Sequence, residues 1–178
     1  MPENTQQEKN IYFEEIQQFR QSWIWFLIMP ISLFGIIVFI YIMYMQFLLG
    51  KPVGTNPMPN SMLIWFGPLM LVIMISISIL LYIMKLEVRI DSEAINIRYF
   101  PFLKRNIPLD EIVTCEARKY KPLLEYGGWG IRWGPSGKAY NVSGSWGVQL
   151  KFTNGKKLLI GSQRANEFAA AVNGAKNL

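Results

Sequence analysis

The residues best suited to chemistry crowd into one stretch, EYGGWGIRWGPSGKAYNVSGSWG, from Glu125 to Gly147. Glycine beside lysine is the vocabulary of phosphate-binding loops, where bare backbone N–H groups cradle an anion. Read as a P-loop, Gly137-Lys138 requires glycine at 132 and Ser or Thr at 139, and the chain has Arg132 and Ala139. Read as a dinucleotide loop, Gly128-Trp129-Gly130 requires a third glycine where Trp133 stands, and no strand-to-helix switch surrounds it. Alternation fits better. Trp129, Ile131 and Trp133 alternate with Gly130 and Arg132, and Tyr140 and Val142 alternate with Asn141 and Ser143. Gly134-Pro135-Ser136-Gly137 and Gly144-Ser145-Trp146-Gly147 read as turns. The stretch is therefore expected to form hairpins whose glycines punctuate turns and let wide tryptophans lie against bare backbone. Whether Trp129, Trp133 and Trp146 are core or exposed stays open. Asn141-Val142-Ser143 matches a glycosylation sequon, but a cytoplasmic strand is the wrong place for it.

The rest of the chain offers little catalytic material. It has no histidine, which removes Ser-His and Cys-His nucleophile pairs, histidine zinc sites and imidazole proton shuttles. The single cysteine, Cys115, excludes an internal disulfide and falls in an alternating segment as a small buried thiol. Asp110, Glu111, Glu116 and Glu125 form no spaced pair beside a plausible base. No catalytic residue, cofactor or metal ligand is assigned. The candidates for contact with a lipid or a partner are basic: Arg118, Lys119 and Lys121 in the densest cluster, with Arg132 and Lys138.

Two elements dominate what must position these residues. From Trp23 to Leu49 and from Met62 to Met84 there is no charged side chain, over runs of 27 and 23 residues. A bilayer core of about 30 Å takes about 20 helical residues. Neither run carries the polar stripe of a soluble core helix, so both are expected to span, as a hairpin joined by a short Pro/Gly-rich loop at 50–61. A cleaved signal peptide is not expected, because the first run is longer than an h-region and no small-x-small site follows it. Lys9 and Arg20 precede the first run, Lys85, Arg89, Arg98, Lys104 and Arg105 follow the second, and the loop between holds only Lys51. The positive-inside rule then places both termini in the cytoplasm and the chain in the cell membrane as a multi-pass protein. At the end of the polar 1–22 segment, over residues 10–23, Tyr12, Ile16, Phe19 and Trp23 recur at helical spacing, which predicts a short amphipathic helix at the headgroup boundary.

After Met84 the rhythm becomes period two. Leu86, Val88 and Ile90 alternate with charged residues, and Ile95, Ile97 and Tyr99 do the same after an Asp91-Ser92-Glu93 turn. Val148, Leu150 and Phe152 lead to Asn154-Gly155, a strong hairpin signal, and 157–160 runs back. Then Ala165, Phe168, Ala169 and Val172 form the stripe of a three-turn capping helix for which Ser162 can act as N-cap and which ends near Asn173-Gly174. The expected fold class is α+β: a membrane hairpin, then about seven antiparallel strands in a sandwich or partly open barrel with one C-terminal helix over 85–176.

The segments IPLDEI at 107–112, EYGGWGIR at 125–132, AYNVSG at 139–144 and LLIGSQRANEFAAAV at 158–172 together resemble bacterial pleckstrin-homology-like domains over about residues 85–176, and the two-helix prefix resembles the membrane helices that tether such domains in uncharacterised small bacterial proteins. The resemblance implies a seven-stranded bent sheet capped by one helix, used as a binding platform. It implies no reaction. The expected function is thus a non-catalytic, membrane-anchored interaction module that binds a protein partner or self-associates. The alternative is recognition of anionic lipid headgroups, since residues 85–178 hold 15 Lys/Arg against 8 Asp/Glu. An enzyme or transporter is a distant third, because the spans offer only Gln46 and a few serines. Nucleic acid is not expected, for want of a recognition motif.

Overall fold

The computed structural model describes residues 10–19 and 22–176, and, of these, Trp23 by its backbone alone. Lys9 and Arg20, used above to orient the chain, and the Trp23 side chain lie outside what is described. The chain divides into two units, 1–19 with 83–178 and 20–82.

The smaller unit is a helical pair. Helix α1 (Ser22–Met43) runs on through one wider π turn at Tyr44–Leu48, and α2 covers Asn60–Ile83. Both are long and apolar enough to cross a membrane. Their register is antiparallel. Trp25 meets Tyr82 edge to face at 6.4 Å, and Gly35 lies beside Met74. The Phe39 ring sits over Gly67, where an added methyl group would come within 1.5 Å of its Cζ. At the loop end, Gln46 Nε2 donates to the Met58 carbonyl and to Asn60 Oδ1. Small residues at such crossings let helices approach closely. Pro30 and Pro68 lie within the helices.

Among the described residues the larger unit holds nine strands. A four-stranded antiparallel sheet has the order β1 (Phe13–Gln18), β2 (Lys85–Ile90), β3 (Ala94–Phe100), β4 (Leu103–Pro108). A five-stranded sheet has the order β5-β8-β9-β7-β6, where β5 is Ile112–Lys119, β6 Gly130–Gly134, β7 Gly137–Asn141, β8 Trp146–Phe152 and β9 Lys157–Gly161. Period-two alternation fixes which residues face inward. One inward row is Phe13–Ile90–Ile95–Ile107 and another is Val148–Ile160–Tyr140. Helix α4 (Ala165–Lys176) buries Ala165, Phe168, Ala169 and Val172 against β5, β8 and β1.

Three expectations are corrected. Residues 13–18 are a strand, not an amphipathic helix. Phe13, Glu15 and Gln17 point inward, while Tyr12 and Ile16 are exposed. Phe13 stacks on Phe168 at 5.2 Å, Ser162 Oγ and the Gln163 N–H both donate to the Glu15 carboxylate, and Gln17 Nε2 donates to the Gly161 carbonyl. Partners so far along the chain override the local helical spacing. Second, the sheets are neither seven-stranded nor all antiparallel, because β7 and β9 pair in parallel through Ala139 and Leu159. The two sheets do not close into a barrel. Third, α4 begins at Ala165 and runs to Lys176. Ser162 Oγ accepts from the Arg164 N–H in the turn before it, and the helix runs through Asn173-Gly174.

The helical pair is an insertion between neighbouring strands. Gln18, the last residue of β1, is the cross-strand partner of Lys85, the first residue of β2, and residues 20–82 lie between them in sequence.

Candidate interaction surface

The sequence KPLLEYGG carries its own start and stop signals. Pro122 sits at the first position of a short helix, α3 (Pro122–Tyr126), and Gly127 closes it at φ 70°, in the left-handed region. The Gly127 and Gly128 N–H groups donate to the Leu123 and Pro122 carbonyls. This element was not expected from the strand reading. It lies on the outer face of the five-stranded sheet, where Tyr126 packs with Tyr120, Ala139 and Leu159 in a small second core.

A clasp fixes α3 to the sheet. Arg118 Nη2 donates to Glu125 Oε2 at 2.8 Å and to Tyr126 Oη at 3.2 Å, while its Nε donates to Gln149 Oε1 at 3.1 Å. The Lys121 N–H donates to Glu125 Oε1 at 2.7 Å. The hydrogen bond from Arg118 holds the Glu125 carboxyl below its ordinary value, against the opposing effect of its partial burial. Behind the clasp, burial pushes the Tyr120 hydroxyl up to about 12, and that hydroxyl accepts from Asn141 Nδ2. Asn141 is fully buried, its Oδ1 accepting from the Gly130 N–H, so the sequon asparagine is a structural residue.

The five candidate basic residues are not brought together as one patch. Arg118 is spent inside the clasp. Arg132 pairs with Ala139 on the outer face, and its Nε donates to the Trp129 carbonyl. Lys138 is opposite Trp133 on the other face, its ammonium 5.2 Å from the ring centroid. Lys119 is opposite Trp146, and Lys121 precedes α3. Both lysines are exposed.

The tryptophans divide as well. Trp133 is 67% and Trp146 48% exposed, whereas Trp129 is half-buried and its Nε1 donates to the Gly144 carbonyl. Through Lys138, Leu158 and Leu150, Trp133 shares a row with a residue four positions along β8 from Trp146 and three strands over. At about 3.3 Å per residue and about 4.8 Å per strand, the two rings cannot form one groove.

What the geometry does bring out is aliphatic. Leu123 is 67% and Leu124 78% exposed, next to each other on a turn whose other side is locked to the sheet. The start and stop signals around KPLLEYGG were legible, but which leucines faced out depended on Tyr126 and Arg118 finding their places. Among the described residues no group of three carboxylate, thiol or imidazole side chains converges to hold a metal ion.

Comparison with known proteins places the chain without giving it an activity. A model described as "Family of unknown function (DUF6141)" matches residues 4–177, so the chain belongs to that family. No curated protein and no solved structure matches it.

Proposed function

From membership in a family of unknown function, we propose that the chain is a membrane-anchored, non-catalytic interaction module that presents its β unit at the cytoplasmic face and binds a protein partner, or a second copy of itself, through α3. The exposed Leu123–Leu124 pair carries this reading. Two neighbouring aliphatic side chains on a rigid support have the character of a contact centre, and the exposed Lys121, which directly precedes α3, adds a polar edge. Anchoring is supported by the length and apolar surface of α1 and α2. Pairing of β1 with β2 requires both flanks of the helical pair to lie on one side of a bilayer, in keeping with two crossings. The excess of Lys and Arg after α2 favours the cytoplasmic side. The resemblance of 85–176 to bacterial pleckstrin-homology-like domains agrees with a binding platform.

The test is a photo-reactive phenylalanine at Leu124 in the full chain, expressed in a membrane. Cross-links to one polypeptide, or to the chain itself, that vanish in the Leu123→Ser/Leu124→Ser background support the proposal. Cross-links to lipid alone turn the reading toward headgroup contact through Lys119 and Lys121. No cross-link above that of a label at the exposed Thr114 overturns it.

A further inference from the structure

The register of the four-stranded sheet sets its two ends apart. At one end the chain passes to and from the helices: β1 ends at Gln18, and β2 begins at Lys85, two residues beyond Ile83, where α2 stops. Gln18 pairs with Lys85, and Lys85 pairs with Phe100. Phe100 ends β3, so the turn that follows, Pro101-Phe102, lies beyond the row from which the chain departs for the helices. The Phe102 N–H donates to the Tyr99 carbonyl at 2.8 Å and closes this turn. Its side chain is 58% exposed, and Pro101 is exposed beside it. The opposite end of the same sheet is polar, with Ser92 and Glu93 in the β2–β3 turn.

Cations lie on the strands that lead to the apolar tip. The Arg98 guanidinium lies 5.4 Å from the Phe100 ring centroid, and Arg98 is the cross-strand partner of Lys104. Glu87 takes ion pairs from Lys85 at 2.5 Å and from Arg98 at 3.7 Å, and Lys104 lies across from Arg98 on the next strand. An exposed aromatic residue and a proline, with long basic side chains on the strands that lead to them, suit the boundary between headgroups and acyl chains. The surplus of positive charge suits anionic phosphates.

We propose that the Phe100–Leu103 turn is a third membrane contact of this chain. Pro101 and Phe102 seat at the headgroup boundary of the bilayer that α1 and α2 cross, and Arg98 and Lys104 meet its phosphates. The contact rests on the spanning reading of the helices. It fixes the β unit against the surface at a second point besides its covalent tether, independently of the exposed leucines of α3.

The test uses the full chain with Cys115→Ala in nanodiscs of phosphatidylcholine and phosphatidylglycerol. Spin labels are attached at Phe102→Cys, Ser92→Cys or Ile75→Cys, and power saturation compares collision with oxygen and with a water-soluble nickel chelate. Positions 102 and 92 are both exposed turn sites. The expected result is a depth value at 102 between that of 75, in the bilayer interior, and that of 92, in water. An interior value at 75 with 102 as aqueous as 92 overturns the turn contact and leaves the spanning helices standing. An aqueous value at 75 as well overturns both.

Discussion

Phe13→Ala, set against Ile16→Ala, separates a strand at 13–18 from the amphipathic helix that the same residues suggest. In the strand, Phe13 is 5% exposed, stacked on the fully buried Phe168 with its ring also facing the Arg164 guanidinium at 5.1 Å. Truncating a packed phenylalanine costs about 3–5 kcal/mol, because the cavity collapses only in part. Ile16, on the opposite face, is 55% exposed. Its truncation is expected to fall within about 0.5 kcal/mol. With each 1.4 kcal/mol worth about tenfold, amide exchange across the β1–β2 ladder in the full chain, held in nanodiscs, should quicken more than about a hundredfold in Phe13→Ala and by about twofold at most in Ile16→Ala. Helical spacing predicts the reverse, since it places Ile16 on the apolar stripe and Phe13 off it. Equal losses for the two variants, or a silent Phe13→Ala, would refute the strand assignment and the discontinuous β unit with it.

Glu125 gives a pH dependence. Its carboxyl is held below the ordinary 4.5, chiefly by the hydrogen bond from Arg118. The clasp therefore stabilises fully above the unfolded-state value and is lost as pH falls through the lower folded-state value. Exchange of the Gly127 and Gly128 amides should accelerate over that acidic window beyond the intrinsic rate, and Glu125→Gln should show the faster exchange already at neutral pH. Burial pushes the Cys115 thiol up to about 12. The native full chain at pH 8 should therefore resist maleimide, and labelling should appear only on unfolding. Gly67→Leu drives a side chain into the Phe39 ring and should cost about 1–3 kcal/mol of helix pairing. Cross-linking of Gly35→Cys to Met74→Cys by a short bismaleimide should fall in that background.

Much of the architecture could be read from local pattern. The helices extend over nearly the runs that lack charge, and the strands at 85–90, 94–100 and 146–152 follow the alternation of their residues. Asn154-Gly155 does join β8 to β9, with Gly155 at φ 76°. What escaped the sequence lacks a local signature. The inward face of β1 mixes Phe13 with Glu15 and Gln17, so it fails as an apolar stripe until Ser162, Gln163 and Gly161 supply polar partners from the far end of the chain. The parallel pairing of β7 with β9 joins strands with β8 between them in sequence, and no turn announces it. At the candidate surface, counting charges found Arg118 but not the carboxylate that occupies it. Spacing marked Trp133 and Trp146 without showing that two strands, β9 and β7, lie between theirs.

The placement of residues 20–82 between two paired strands bears on how the protein is made. Strand β1 is synthesised first, yet its partner β2 follows only after the whole helical segment. In a membrane-inserted chain, β1 must remain unpaired in the ribosome-side compartment until both helices have been threaded and β2 emerges beside it. A molecule that threads only one helix strands β2 across the bilayer from β1 and leaves the Phe168 ring without its cover. Where both helices cross a membrane, the four-stranded sheet therefore closes only after the second crossing is made.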